Sequence, residues 1–200
     1  GSADELEQFT NLITTNLTAF FREPHHFDFL KQNILPELLK KRRDSTKIRI
    51  WSAGCSTGEE PYSIAIALKE AIPNIGSWDI KILATDLDSN VLAHGKAGVY
   101  TEDRLNGISE ERLKKWFYKG KGRHQGNVKV HEEIQELITF EQLNLMGSWP
   151  MKSKFDVIFC RNVVIYFDRP TQTKLFGRFS TALAKDGRMI VGHSETLNKV

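Results

Sequence analysis

Two strand-like runs, one ending in a glycine-bearing turn and the other in an acid, carry the residues best suited to chemistry. The first, Ile48-Arg49-Ile50-Trp51-Ser52-Ala53, leads into Gly54-Cys55-Ser56-Thr57-Gly58-Glu59-Glu60-Pro61. The second, Ile80-Lys81-Ile82-Leu83-Ala84-Thr85, ends in Asp86. Glycines in a strand-to-helix turn let a ligand approach the backbone, and an acid at the next strand tip accepts hydrogen bonds from a ribose diol. The turn lacks the full G-x-G-x-x-G spacing, which argues against a dinucleotide whose pyrophosphate rests on a helix N-terminus. A nucleoside without phosphates fits better, and S-adenosylmethionine is the commonest cofactor of that kind.

Two further segments belong with these. Arg161-Asn162 follow the buried-type run Phe155–Cys160, and Asn144-Leu145 follow the strand-like Ile138–Phe140. In a mainly parallel sheet, ligands sit beyond the carboxyl ends of the strands, where all these segments lie. Each residue also has a purely structural reading. Gly54 and Gly58 serve a tight turn, and Asp86 caps the next helix. Glu59 and Glu60 complement a helix dipole and form a capping box with Ser56 or Thr57. Asn162 satisfies loop backbone, Arg22 is a surface helix residue, and Tyr166 and Phe167 are core. Their joint placement at strand ends favours a site over these separate roles.

A rival reading starts from Gly54-Cys55-Ser56-Thr57-Gly58, which matches the G-x-S-x-G elbow of serine hydrolases, with Asp168 and His193 in the right chain order. The elbow normally follows several strands, whereas this one follows the first clear strand. No HGGG-like segment precedes it, and Asp86 would have no role. Cys55 and Cys160 are read as small buried apolar residues. The histidines show no metal spacing, and adjacent His25 and His26 are not expected to point to one site from a helix, so no metal is expected.

The elements that must position these residues alternate. Residues 4–43 read as mostly helical, with Leu6, Phe9, Leu12 and Ile13 at helical spacing and a second helix from Phe27 to Arg43 that ends in Lys40-Lys41-Arg42-Arg43. Between them, Thr15, Asn16 or Thr18 is placed to cap a helical turn. Helices are expected over Glu60–Ala71, Leu87–Ala97, Ser109–Phe117 and Thr171–Leu183, with a turn at Lys185–Arg188 before the strand Met189–Gly192. Residues 118–141, punctuated by Gly120, Gly122 and Gly126, read as a small antiparallel insertion in the main sheet. The chain divides into a helical segment, 1–44, and an α/β domain, 45–200.

Bulk properties set the class. The chain of 200 residues is enough for one α/β domain with a proper core. A net charge of +3 does not by itself imply nucleic acid. No apolar run reaches the roughly 18 residues of a membrane span. Gly1-Ser2 reads as a tag-cleavage scar, and with no secretory signal and no disulfide pattern the expected compartment is the cytoplasm.

The assembled motifs resemble the chemotaxis receptor glutamate O-methyltransferases, the CheR family. The resemblance rests on Thr15-Asn16-Leu17-Thr18-Ala19-Phe20-Phe21-Arg22-Glu23, on the turn extended to Tyr62-Ser63, on Phe155 through Phe167, and on Gly192-His193-Ser194-Glu195. It implies a Rossmann-like methyltransferase fold and S-adenosylmethionine as cofactor, with S-adenosylhomocysteine as product. The implied substrates are glutamates on the cytoplasmic helical domain of chemoreceptors. By motif position it implies cofactor contacts from Asn16, Thr18, Arg22, Gly54, Glu60, Asp86, Asn144, Leu145, Arg161 and Asn162, with Arg22 and Tyr166 flanking the transferred methyl. It likens residues 118–141 to a β-subdomain that in some members captures a receptor C-terminal peptide by strand addition. A catalytically silent cofactor- or partner-binding module is the alternative from another class. Family members carry a fuller N-terminal helical domain and a further last strand, so the chain is expected to be a shortened form.

Overall fold

The computed structural model describes residues 18–193 and Glu195. The helix expected around Leu6 to Ile13, and Asn16, lie outside the described residues.

The first helices among the described residues are α1 (His25–Phe29) and, after a π-helical stretch at Leu30–Ile34, α2 (Leu35–Lys41). A five-stranded sheet follows, built from β1 (Lys47–Ala53), β2 (Asp79–Asp86), β6 (Ile138–Gln142), β7 (Phe155–Cys160) and β8 (Leu183–Val191). Its spatial order is β6-β2-β1-β7-β8, and every pair is parallel. The order reverses between β1 and β7, which makes the carboxyl ends of β1, β2 and β7 the crest where ligands bind in such sheets. Helices α3 (Glu59–Ala71), α4 (Ser89–Ala97) and α7 (Arg169–Ala182) link the strands.

Alternation along the strands builds two cores. Ile48 and Ile50 of β1 join one cluster with α1, α2 and α3, whereas Trp51 and Ala53 join a second cluster with Phe155 and the α7 residues Leu175, Phe176 and Phe179. Successive strand side chains point to opposite faces, so a near-continuous apolar run serves both layers. Ser52 shares the face of Ile48 and Ile50, which turns it toward α3.

The small antiparallel sheet differs from the expected insertion. It consists of β3 (Val99–Thr101), β4 (Phe117–Lys119) and β5 (Asn127–Val130), in the order β3-β5-β4. It therefore begins near residue 99 rather than 118. Helices α5 (Glu110–Trp116) and α6 (Glu132–Gln135) flank it. Ile134 lies in α6, and Ile138–Gln142 pairs in parallel with β2, so that segment belongs to the main sheet. The expected turn at Lys185–Arg188 lies within β8, where the register with β7 shifts between Phe155 and Val157. No helix among the described residues is long and apolar enough to cross a membrane.

Candidate active site

The turn after β1 is locked to the tip of β2. The N–H groups of Gly54 and Cys55 both donate to the Thr85 carbonyl, at 2.8 and 2.9 Å. Ser56 N–H donates to Asp86 Oδ2 at 2.8 Å, and Asp88 N–H donates to Oδ1 at 3.1 Å. Burial pushes the Asp86 carboxyl above its ordinary range, against the pull of these N–H groups. Asp86 is not the helix cap: that role falls to Asp88, whose carboxylate accepts from the N–H groups of Asn90 and Val91. Asp86 is thus held at the crest by backbone N–H groups, Leu87 among them, and a carboxylate with about four acceptor positions retains capacity for a further donor.

Glu60 points inward. Ser52 Oγ donates to its Oε1 at 2.7 Å and Arg161 Nη1 to its Oε2 at 3.0 Å. Burial raises the Glu60 pKa, partly opposed by Arg161 and Ser52. The Arg161 side chain is only 2% exposed. Its Nη2 donates to the Arg22 carbonyl and lies 3.7 Å from Glu23 Oε1. Within the first motif, the turn through Phe21–Glu23, which is not the expected helix, therefore meets the loop after β7 over the start of α3. Phe21 N–H, donating to Ser63 Oγ at 2.8 Å, pins the motif there as well. Thr18 caps no described helix: Pro24 precedes α1, with no side-chain cap bond.

No capping box forms at α3. Its N-cap is Gly58, at φ +96°, without a side-chain cap bond. Glu59 is instead fully buried, accepting from Thr57 Oγ1 at 2.6 Å and from Arg104, which projects from the segment after β3. Tyr100 of β3 donates its hydroxyl to the Thr57 carbonyl at 2.6 Å. β3 and the turn that follows it thus grip the glycine turn through one side chain each, Tyr100 and Arg104. Gly54 serves packing: at φ +78°, a Cβ there would lie 2.4 Å from Val163 Cγ2, so the space that glycine opens is filled by the loop after β7.

Asn144 and Leu145 follow β6, whose end is tied to the tip of β2 by Leu143 N–H donating to the Asp86 carbonyl at 2.8 Å. Asn144 Oδ1 accepts from Met146 N–H, and the Leu145 carbonyl accepts from Trp149 Nε1 and Arg178 Nη1. Arg178 stacks on Trp149, 4.0 Å from the ring centroid, which fixes both donors. Leu87 and Met146 are exposed large apolar side chains on these two loops, a rim suited to a flat heteroaromatic ring. Sequence reasoning missed Ser52, Arg104, Trp149 and Arg178. Only Ser52 carried a signal, from its place on the β1 face toward α3.

Asn162 follows Arg161 at φ +60°, and Tyr166 ends a 3-10 turn, Val164–Tyr166. The hydrolase triad does not assemble around its own acid: Asp168 is exposed and caps α7 by accepting from Thr171 N–H at 3.0 Å. His193 donates its N–H to Glu23 Oε2. Contrary to expectation, His25 and His26 do converge: with Glu23 they place ligand atoms within 4.8 Å of one another. The turn at Glu23, φ +56°, folds its carboxylate back over α1. There the Arg161 guanidinium already supplies a cation. Burial of Glu23 is outweighed by Arg161, His26 and the His193 N–H, so its pKa is lowered.

The residues brought together fit a nucleoside sulfonium. A carboxylate, Asp86, stands at the tip of β2, a second, buried one, Glu60, lies under the start of α3, and an apolar rim follows. Comparison with known proteins agrees with the chemistry of this donor set. A family described as CheR methyltransferase, SAM binding domain, matches residues 16–200. A probable chemotaxis protein methyltransferase of Rhizobium etli is 48% identical over 99% of this chain and 74% of its own length. Chemotaxis protein methyltransferase 2 of Pseudomonas aeruginosa is 46% identical, covering 96% of this chain and 67% of its own. The chemotaxis protein methyltransferase of Escherichia coli is 42% identical, covering 97% and 65%.

Proposed function

Because this chain belongs to the CheR methyltransferase family, as an S-adenosylmethionine-dependent enzyme of chemotaxis, we propose that it methylates glutamate side chains of chemoreceptors to give 5-O-methyl esters. The observation that carries the site reading is the position of Asp86, held by Ser56 and Asp88 N–H groups at the crest where the sheet order reverses.

S-adenosylmethionine, when bound, supplies a methyl group on an electrophilic sulfonium. A glutamate with pKa near 4.3 is already ionised at neutral pH, so the protein needs no general base. Its tasks are alignment and exclusion of water from a well-hydrated nucleophile. Asp86 takes the ribose hydroxyls. Glu60, held by Ser52 and Arg161, offers remaining lone pairs to the methionyl ammonium. Arg161 and Asn162 shape the wall after β7, and Asn144 and Leu145 face the base. Arg22 binds the methionyl carboxylate, since a cation directly on the attacking oxygens would oppose charge cancellation in the transition state. Tyr166 orients the incoming carboxylate by one neutral hydrogen bond, and Asn16 and Thr18 complete the cofactor contacts.

The substrate-bearing partner is the helical cytoplasmic part of a chemoreceptor. A receptor C-terminal peptide adds as a strand to β4, an edge of the small sheet. That edge adjoins a cavity of about 530 Å³, lined by Leu105, Ile108, Leu113, Phe117 and Val128 among others. Transfer of tritium from labelled cofactor to receptor fragments, as base-labile esters, tests the proposal. Tight binding of S-adenosylhomocysteine without any transfer would instead favour the silent binding module.

A further inference from the structure

We infer that Glu195 is a positioning residue for the cofactor site, its buried carboxylate setting the shape of the loop that follows β7. The inference rests on the methyltransferase reading above. In the string Gly192-His193-Ser194-Glu195, His193 donates its N–H to Glu23, and Glu195 turns its carboxylate to the loop after β7.

The geometry does. Glu195 is 6% exposed. Its Oε1 accepts from the N–H groups of Val163 and Val164, at 2.8 and 2.9 Å. Its Oε2 accepts from those of Asn162 and Gly192, each at 2.8 Å. Convergent successive N–H groups form an anion-binding nest, and here the chain's own carboxylate fills it. The nest depends on Asn162 in the left-handed region, a conformation that costs a non-glycine residue energy and persists only when its surroundings over-determine it. Gly192 permits the close approach: a Cβ there would lie 2.8 Å from Asn162 Nδ2 and 3.0 Å from Glu195 Oε2.

The loop so held carries consequences on both sides. Arg161, one residue before the nest, reaches Glu60 and the Arg22 carbonyl. Val163, within it, fills the space at Gly54. Removing the carboxylate orphans buried donors in consecutive residues, and the loop relaxes out of the left-handed turn. Arg161 and Val163 then lose register with the cofactor turn, although Glu195 itself need touch no ligand.

The test is calorimetry with S-adenosylhomocysteine on the unsubstituted protein, Glu195→Ala and Glu195→Gln, alongside thermal melts. Glu195→Ala is expected to weaken binding at least about tenfold, the scale of one lost charge-assisted hydrogen bond. Added sodium formate, small enough to enter the vacated nest, should recover much of that affinity, whereas sodium chloride of equal ionic strength should not. A role in stability alone would lower the melting temperature of Glu195→Ala and leave its affinity at the unsubstituted value, and that result overturns the inference. Should Glu195→Ala fail to fold, Glu195→Gln decides. Its oxygen keeps half of the acceptor sites while its amide opposes the remaining donors, so weaker binding is expected and unchanged binding refutes. Absence of binding by the unsubstituted protein overturns the methyltransferase reading, and this inference with it. Unchanged affinity in the variants overturns this inference alone.

Discussion

Replacing Asp86 by alanine separates cofactor binding from fold stability in a calculable way. The carboxylate does two jobs. It accepts the Ser56 and Asp88 N–H groups, at 2.8 and 3.1 Å. It also keeps acceptor capacity for a ribose hydroxyl, since about four lone-pair positions exceed the backbone N–H groups it receives. A hydrogen bond to a charged group contributes about 1.5–3 kcal/mol. Loss of the ribose contacts should therefore weaken S-adenosylhomocysteine binding by about 10- to 150-fold. The free protein should lose stability too, because two N–H groups lose their acceptor, at about 1–3 kcal/mol for a buried donor. The lower half of that range is expected, since burial already penalises the ionised Asp86 and its removal returns part of that cost.

Asp88→Ala is the matched control. Asp88 caps α4 and is expected to cost about 1 kcal/mol of stability with no loss of affinity. Calorimetry reports affinity and urea denaturation reports stability. An unchanged dissociation constant in folded Asp86→Ala, or an equal loss in Asp88→Ala, refutes the assignment. The raised Asp86 pKa adds a pH signature. The folded protein takes up this proton at higher pH than the unfolded chain, so this group's contribution to stability grows as pH falls through the window above 3.8. Cofactor affinity should decline over the same window, as the ribose loses its charged acceptor.

The remaining predictions are simpler. Tyr166→Phe should lower turnover in the tritium assay and leave S-adenosylhomocysteine affinity nearly intact; a large affinity loss would move Tyr166 onto the cofactor. Arg104→Ala leaves the buried Glu59, among the described residues, with the Thr57 hydroxyl as its donor, and urea denaturation should show a loss of about 1–3 kcal/mol, partly recovered by adding Glu59→Gln. His26 has its pKa lowered from 6.5 to about 4, first by burial, then by Arg161 and His25, with Glu23 opposing. The unfolded chain therefore binds this proton before the folded one, and stability is lost as pH falls from about 6.5 to about 4. His26→Gln should flatten that part of the stability–pH curve; an unaltered slope would remove His26 as its source.

Much of what depends on local order was legible in the residues, although the turn expected at Lys185–Arg188 runs as strand. The alternation that sends Ile48 and Ile50 to one face and Trp51 to the other marks β1. Pro61 in the first turn marks α3, and the acid at the end of Ile80–Thr85 marks the tip of β2. The motif strings named the family and the cofactor class. Choices between chemically equal neighbours were not legible. Asp86 read equally as a helix cap and as a ligand acceptor, and only the fold hands the cap to Asp88 and leaves Asp86 at the crest. Glu59 and Glu60 read as a capping pair, yet one turns to Arg104 and the other to Arg161, partners 45 and 101 residues away. The small sheet recruits Val99–Thr101 because β5, paired with β4 on one edge, has a second edge open to an antiparallel partner that no local pattern announces. Ile138–Gln142 joins the parallel sheet because the edge of β2 lies open to it. Gly54 read as room for a ligand, and Val163 fills that room. Sequence carries periodicity and residue type, and these fixed the elements, the turn chemistry and the kind of ligand. The order of strands across the sheet is a long-range property, and it alone decided which carboxylate, guanidinium and N–H meet at the crest.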